Sequence, residues 1–224
     1  MYRLLALGLL LAPQAAYSQE TVDIGVVKQS DLSVVQKLLY PKTDRTELGV
    51  HLGWMPFDAL LTTPNLQLTV DRHLSESLSI GGGLGVGYGL KNSMYRELES
   101  PLYGVAPDAY RYLASARVGA QFAPIYAKMN VGGKKIVHYD VYGGAHLGAA
   151  IEQSVIPGGG IAVAPALSLS VGTRFFLPNN GAIRLQLQDD LMIEHRKLTD
   201  STHFKQNVNV TIGYTFFSKK PGKR

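Results

Sequence analysis

The sequence contains no cysteine, and this absence excludes two classes of small exported protein. Without cysteine there is no disulfide framework and no thiolate-ligated metal site. Long apolar runs are also missing: beyond the N-terminus, no stretch reaches the roughly 18 uninterrupted apolar residues that a transmembrane helix needs. If this chain enters a membrane, it does not do so by helices.

A basic surface is absent from the body of the chain, although the formal net charge is +5. Arg3 lies near the N-terminus, and Lys219, Lys220, Lys223 and Arg224 form a basic tail. Subtracting these five from the 22 basic residues leaves 17, which equals the 17 acidic residues. A neutral body gives no support for nucleic acid binding, so we expect no nucleic acid partner.

The N-terminal residues have the features of a secretory signal peptide. Arg3 supplies positive charge, residues 4–12 form a short apolar run, and residues 16–18 read Ala-Tyr-Ser, a small-x-small cleavage site. We therefore predict a signal peptide at residues 1–18 and an exported protein.

Regular alternation of polar and apolar residues is the main feature of the remaining chain. In the segment RLQLQ (residues 184–188), leucine alternates with arginine and glutamine, and VNVTIGYTFF (208–217) alternates in the same way. A period of two is typical of a strand whose two faces differ. From residue 45 onward such segments recur between turn-rich stretches, and we count eight strands.

The run GGGLGVGYGL at residues 81–90 is dense enough in glycine to suggest a phosphate-binding loop. However, five of its six glycines fall on alternate positions, no frame matches GxGxxG, and no helical pattern follows. We interpret the run as a strand, in which glycines along one face indicate a crowded interior.

The polar face of these strands carries arginine, aspartate, glutamate and histidine, which would make a poor core for a soluble barrel. If the apolar face is turned to lipid and the polar face to a narrow lumen, the pattern is consistent. Short connections at 75–77 and 178–181 alternate with long ones, as periplasmic turns and outer loops do. We predict an all-β fold: an eight-stranded antiparallel up-and-down transmembrane β-barrel in the bacterial outer membrane.

Four segments follow from this interpretation. They are a signal peptide (1–18), a periplasmic arm (19–44), the outer membrane β-barrel (45–217) and a basic periplasmic tail (218–224). The arm lacks alternation and contains the pattern of a short helix that ends before a proline.

Two irregularities are expected within the strands, besides a hairpin that turns at residues 132–133. Pro124 indicates a bulge where its strand leaves the membrane. Asp189 and Asp190 are adjacent, so they cannot both face the lumen of an unbroken strand. We predict a bulge there, or a position above the hydrocarbon.

The polar face also predicts the contents of the lumen. Eight strands enclose an interior that side chains just fill, so we expect an ion-pair network that fixes the barrel, with a narrow ion path as the alternative. The candidate members of this lumenal polar network are Arg45, Glu47, Asp71, Arg111, Arg117, Asp140, His146, Arg174, Arg184, Asp190 and Glu194.

Rings near the strand ends are expected to form interfacial girdles, where an aromatic side chain with a polar edge is favoured. The candidate girdle residues are Trp54, Tyr88, Tyr110, Tyr112, Tyr139, Phe175, Tyr214, Phe216 and Phe217.

Catalytic motifs are weak in this sequence. His138 and His146 share a strand face with Asp140, but no spacing singles out a serine for a His-Ser-acid set. We predict no catalytic residue, no cofactor and no metal site. A lipid-modifying outer membrane barrel enzyme and a narrow channel are the alternatives.

Several segments resemble one known family. VVQKLLYPKTDRTELGVHLGW, LTVDRHLSESLSIGGG, APIYAKMNVGGKKIVHYDVYGGAHLG, RLQLQDD and VNVTIGYTFF are similar, in that order, to the outer membrane β-barrel domain family found chiefly in myxobacteria. The resemblance covers residues 34–217 and implies an eight-stranded outer membrane barrel without agreed catalytic residues. It departs from the pattern at Gln188, where the family has arginine, and after Phe217, where such barrels commonly end.

Some barrels similar to this family accompany gliding-motility or other envelope-spanning machines. We therefore expect a non-enzymatic structural or scaffolding component of an envelope complex. Its expected partners are outer membrane lipid and lipopolysaccharide, the barrel-assembly machinery during insertion, and periplasmic or envelope proteins that bind through residues 19–44 and 218–224.

Overall fold

A computed structural model of the protein describes residues 38–133, 135–196 and 200–218. The predicted signal peptide, residues 19–37 of the predicted arm, and the tail from residue 219 lie outside the described residues. Within the described ranges, no helix is long and apolar enough to cross a membrane.

Nine strands and one short helix make up the described fold. In chain order they are β1 (Thr46–Met55), β2 (Leu61–His73), β3 (Leu78–Gly87), β4 (Leu90–Lys91), α1 (Ser93–Glu99), β5 (Tyr110–Val131), β6 (Lys135–Ser154), β7 (Ile161–Phe176), β8 (Gly181–Arg196) and β9 (Ser201–Phe217).

Eight of these strands close into a ring. Each long strand pairs antiparallel with the next along the chain, and β9 returns to pair with β1, while the two-residue β4 pairs with the first two residues of β2. Closure pairs the backbone groups of the first and last strands, as a hydrocarbon environment requires. The prediction of an eight-stranded antiparallel up-and-down barrel is confirmed.

The apolar face of the barrel points outward. On β1, Leu48, Val50 and Leu52 are more than half exposed, whereas Glu47 and His51 on the opposite face are at most 2% exposed. Alternation of this sense is inside out for a soluble protein and correct for a barrel surrounded by lipid. The closed sheet and its apolar exterior together define an outer membrane β-barrel.

The inward glycines of β3 give room to side chains from neighbouring strands. A Cβ atom on Gly85 would lie 2.5 Å from the Tyr112 hydroxyl and 2.9 Å from Ser115 Oγ. A Cβ on Gly83 would lie 3.5 Å from Nε of Arg117. The glycine stripe therefore faces a crowded interior, as its spacing predicts.

The pairing of β5 with β6 contains two register shifts. One lies between Phe122 and Ile125, which is the bulge predicted at Pro124. The other lies between Tyr112 and Ala114, and the sequence pattern gave no warning of it.

The pairing of β8 is regular through its two aspartates. Asp190 lies opposite Ser168 and Asp189 opposite Leu169, with no register shift. The predicted bulge is therefore wrong. Asp190 points into the lumen, and Asp189 points outward, where it accepts a hydrogen bond from Gln206. A location of Asp189 above the hydrocarbon stays a prediction.

The longest loop contains the helix α1. The Asn92 side chain caps it by accepting a hydrogen bond from the Tyr95 backbone N–H at 2.9 Å. Tyr95 is buried against Leu61 and Ala109, which fastens the loop to the extracellular end of the barrel.

The hairpin of β5 and β6 extends beyond the end of the barrel that carries the short turns. The loop lengths predict that this end is periplasmic, and we call it the periplasmic rim. Pairing of β5 with β3 stops at Phe122, and pairing of β6 with β7 stops at Tyr139, but β5 and β6 stay paired to Val131 and Lys135. The turn uses two glycines with left-handed φ values, +62° at residue 132 and +69° at residue 133, so the predicted turn position is correct.

Candidate functional site: the closed lumen

Glu47 lies at the centre of an ion-pair lattice in the periplasmic half of the lumen. Its Oε2 accepts hydrogen bonds from Nη1 of Arg174 at 2.6 Å and Nε2 of His73 at 2.9 Å. Its Oε1 lies 3.6 Å from Nη1 of Arg184. Glu47 is fully buried, so its charge is stabilised by these partners rather than by water.

Asp140 extends the lattice toward the periplasm. It accepts hydrogen bonds from Nε of Arg174 at 3.1 Å and from Nζ of Lys42 at 2.5 Å. Lys42 precedes the first strand, so the chain entering the barrel places an ammonium group in the lumen. Burial lowers the pKa of Lys42 below its ordinary value, although the attraction of Asp140 opposes this shift.

Arg184 joins the lattice to its other members. Its Nη1 donates to Asp71 at 3.1 Å and its Nη2 donates to Gln121 at 2.9 Å. Its Nε donates to the Tyr142 hydroxyl at 2.5 Å. The Tyr142 ring also packs against both the Arg174 and Arg184 guanidinium groups, each 4.5 Å from the ring centroid.

The lattice contains three cationic and three anionic side chains. They are Lys42, Arg174 and Arg184 against Glu47, Asp71 and Asp140. Because these charges balance and hold hydrogen bonds to one another, the layer can exist without bulk water.

The middle of the lumen is filled by neutral polar groups with few charges. Asn65 donates to Asn209 at 3.1 Å, and Gln188 donates to Asp190 at 2.7 Å. A cavity of about 10 Å³ lies next to the lattice and is lined in part by Arg117 and by His146. Such a cavity holds about one water molecule.

Above this layer, apolar side chains meet inside the lumen. Met55, Tyr112, Ala150, Ala164 and Met192 form a buried cluster, which we call the apolar plug. These residues come from five of the eight ring strands, so the plug reaches across the barrel from β1 to β6.

The extracellular mouth is closed by a smaller charge cluster around Lys205. Its Nζ lies 2.7 Å from Glu152, 3.5 Å from Glu194 and 3.8 Å from Asp58. Arg196 donates to Glu194 at 2.7 Å. The lumen is therefore sealed at two levels by ion pairs and between them by apolar packing.

Most of the lumenal residues predicted from sequence lie inside, but in different layers. Arg45 lies at the periplasmic rim, where it donates to the Ser218 carbonyl at 2.6 Å. The lattice contains Glu47, Asp71, Asp140, Arg174 and Arg184; the middle layer contains Arg117, His146 and Asp190; the mouth contains Glu194.

Arg111 is a correction to the predicted network. Its guanidinium packs on the Tyr88 ring, 4.8 Å from the centroid, and donates a hydrogen bond to the Tyr88 hydroxyl at the exposed upper edge of the barrel. The register shift at Leu113 turns the side chains of Tyr110 and Tyr112 into the lumen. Arg111 lies between these two tyrosines in the strand, so its side chain points outward.

The predicted girdle also needs correction at three positions. Tyr110 and Tyr112 face inward because the shift at Leu113 reverses their side of the strand. Phe217 is buried because the adjacent Phe216 takes the outward position. The remaining predicted rings lie on the outward face: Trp54, Tyr88, Tyr139, Phe175, Tyr214 and Phe216.

Sequence reasoning missed several members of the lumen. Tyr142 and His73 were not selected, although each has the same parity as a predicted lumenal acid on its own strand, Asp140 and Asp71. The alternation of each strand was therefore enough to place the side chains of Tyr142 and His73 in the lumen. Lys42 carried no such signal, because it lies outside the alternating segments.

His138 and His146, the two candidates from the sequence, do not form a hydrolytic set in the part of the chain that the structure describes. Ser168 lies opposite both His146 and Asp190 in the strand register, but its hydroxyl bonds to Asp190. A triad needs the histidine between the serine and the acid. His138 lies in the β5–β6 hairpin, away from Ser168, and its Nδ1 is 3.1 Å from the Tyr126 hydroxyl.

Among the described residues, no group of three or more histidine, aspartate or glutamate side chains is placed to hold a metal ion. The carboxylates of the lattice are bonded to its lysine and arginine side chains instead.

No protein-family model matches the chain, and no curated protein matches it. Among solved structures, Neisserial surface protein A is 8% identical, with 77% of this chain and 95% of that chain covered and a TM-score of 0.46. The N-terminal barrel domain of Pseudomonas aeruginosa OprF is 8% identical, with 78% and 98% covered and a TM-score of 0.43. Ail, the attachment invasion locus protein of Yersinia pestis, is 13% identical, with 79% and 99% covered and a TM-score of 0.42.

Proposed function

We propose that this protein is a non-enzymatic scaffold of the outer membrane, whose barrel anchors an envelope complex from the periplasmic side. The observation that carries the proposal is the sealed lumen. In the part of the chain that the structure describes, the buried lattice around Glu47 and the apolar plug around Met192 fill the lumen at two levels. Such a barrel acts through its surfaces.

The sealed lumen argues against the channel alternative. An ion crossing this barrel would have to separate charge pairs at 2.5–3.1 Å and then pass the buried apolar cluster of Met55, Tyr112, Ala150, Ala164 and Met192. We expect no stepwise conductance when the purified protein is inserted into planar lipid bilayers. Reproducible single-channel steps that disappear when the protein is heat-denatured would overturn the sealed-barrel argument.

The periplasmic end supports the scaffolding role. It presents the hairpin of β5 and β6 beyond the rim, and Arg45 and Ser218, where the described chain enters and leaves the barrel, bond to each other there. The predicted arm and tail (residues 19–44 and 218–224) join the barrel at these residues. The resemblance to barrels that accompany envelope-spanning machines, including gliding-motility machines, suggests the same setting.

The direct test is co-purification after crosslinking in cells. We expect envelope proteins to co-purify with the full-length chain and to be reduced when the periplasmic segments are removed by deleting residues 19–41 and 219–224. A variant with residues 94–98 of α1 replaced by a Gly-Ser linker controls for changes at the opposite end. Unchanged co-purification after the periplasmic deletions would contradict docking through the arm and the tail.

A further inference from the structure

The β5–β6 hairpin carries an unpaired strand edge. Residues 125–131 of β5 pair with β6 on one side, but on the other side β3 begins only at Leu78, which lies opposite Phe122. In the described structure, the other side of this segment has no strand neighbour. Its backbone N–H and C=O groups are therefore available to a further strand.

One face of the hairpin is apolar although it lies beyond the barrel rim. Ile125, Met129 and Val131 share the face that continues the lipid-contacting exterior, and they are 52%, 38% and 50% exposed. Apolar side chains of this size beside an open strand edge are the features that a strand-adding partner uses, since its own alternate side chains pack on them.

The base of the hairpin is held rigidly. Tyr126 on the inner face packs against Phe176, 5.8 Å between ring centroids, and Phe176 stacks on Tyr40 at 5.4 Å. The Tyr126 hydroxyl lies 3.1 Å from Nδ1 of His138 across the hairpin. An edge that is fixed before binding loses little conformational entropy when a partner strand is added.

The charge of the hairpin selects among partners. Residues 124–138 contain three lysines and no acidic residue, and Lys128 lies in the middle of the open edge with its side chain exposed. Pairing of this edge with a second copy in full antiparallel register would place Lys128 opposite Lys128, which is destabilising. An acidic strand would meet the opposite charge.

We propose that the free edge of β5, residues 125–131, binds an extended acidic segment of a periplasmic protein by strand addition. This inference rests on the proposed scaffolding function and names its docking element and the chemistry of its partner. It concerns the hairpin, which neither the arm nor the tail contains.

A synthetic peptide tests the proposal directly. The purified full-length protein in detergent micelles is mixed with the peptide Glu-Val-Glu-Val-Glu-Val-Glu, and amide hydrogen exchange is followed by NMR. We expect slower exchange at alternate amides of residues 125–131, those that face the open edge. The matched peptide with lysine in place of glutamate is expected to bind at least about 10-fold more weakly, because like charges then face each other.

Charge-reversal variants separate strand addition from general attraction to a basic surface. Lys128→Glu should exchange the preference between the two peptides, whereas Lys91→Glu, at the extracellular end, should leave it unchanged. The heat-dependent mobility shift in SDS gels verifies that each variant still folds. Equal binding of both peptides to the unaltered protein, or binding without protection of residues 125–131, would overturn the proposal.

Other occupants of the edge give distinguishable outcomes, each of which overturns the proposal. Protection of residues 125–131 without peptide, lost on deletion of residues 19–37, would assign the edge to the arm. Protection that rises with protein concentration would assign it to a second copy. Protection by phosphatidylglycerol vesicles but not by the peptide would assign the hairpin to lipid.

The failure of this inference can be told apart from failure of the scaffold. If Lys128→Glu leaves the crosslinked partners in place but deletion of the arm and tail removes them, the scaffold stands and the hairpin is not its docking element. If neither change removes them, docking through the periplasmic end fails as a whole.

Discussion

The two halves of the lumen are sealed by different chemistry, although the same strands build both. On β8, Arg184 enters the ion-pair lattice below and Met192 enters the apolar plug above. On β6, Asp140 likewise belongs to the lattice and Ala150 to the plug. Alternation therefore decides which side chains point inward but not how they close the barrel. The two halves should fail differently when they are altered.

The largest effect is expected from Glu47→Gln in the lower half. The change leaves Arg174 and Arg184 buried with one counter-charge fewer, which should lower the free energy of unfolding by about 3–5 kcal/mol. Urea unfolding in lipid vesicles, followed by the fluorescence of the single tryptophan Trp54, measures it. Glu97→Gln, on the exposed surface of α1, is the control and should change stability by less than about 0.5 kcal/mol. Equal losses for both variants would show that the lattice does not hold the barrel.

Met192→Ala should have the next largest effect, in the upper half. Removing a side chain that is 1% exposed leaves a cavity in the plug, with an expected loss of about 2–4 kcal/mol. Met192→Leu nearly conserves the volume and should cost less than about 1.5 kcal/mol. If leucine were as costly as alanine, packing volume would not be what closes this half.

Tyr142→Phe should have a smaller effect within the lattice. The ring and its contacts with both arginines remain, but Nε of Arg184 loses its acceptor and Gln186 loses the hydroxyl that donates to it at 2.8 Å. We expect a loss of about 1–3 kcal/mol in the free energy of unfolding, measured by the same urea titration. Tyr139→Phe, on the outward face, is the matched control, and a similar loss there would remove the case for a lumenal effect.

The smallest effect is local and depends on pH. Glu76 lies in the turn between β2 and β3, and its carboxylate accepts backbone hydrogen bonds from Lys42 at 2.9 Å and Thr43 at 3.1 Å. Burial raises the pKa of Glu76, but these hydrogen bonds outweigh burial and lower it below 4.5. Since the folded-state pKa is lowered, the stabilisation is complete above pH 4.5 and is lost as the pH falls through the folded-state value.

Hydrogen exchange of the Lys42 and Thr43 amides between pH 3 and pH 6 measures this effect, after correction for the intrinsic pH dependence of exchange. We expect their protection to decrease at the acidic end, with little change in global stability. Glu76→Gln should weaken protection at all pH values and remove its titration. Titration that persists in the glutamine variant would assign it to another group.

The alternation in the sequence was enough to predict the barrel, its strand number and most of its lumenal acids and arginines, because one face of every strand must meet lipid. It could not reveal the shift at Leu113, since Tyr-Leu-Ala is apolar on either side and leaves no mark in the pattern. The role of Lys42 depends on where the chain enters the barrel. Residue spacing carries no information on that path.

Arg45 has a consequence for the order in which the barrel can be completed. Its side chain, just ahead of the first strand, holds the carbonyl groups of Phe217 and Ser218, the latter 173 residues further along the chain. The pairing of β1 with β9 can form only after the whole intervening chain has been synthesised, so β1 has no partner on this edge until β9 is present. A chain without β9 would leave an edge of β1 unpaired, whereas in the complete barrel Arg45 holds the end of β9 beside β1.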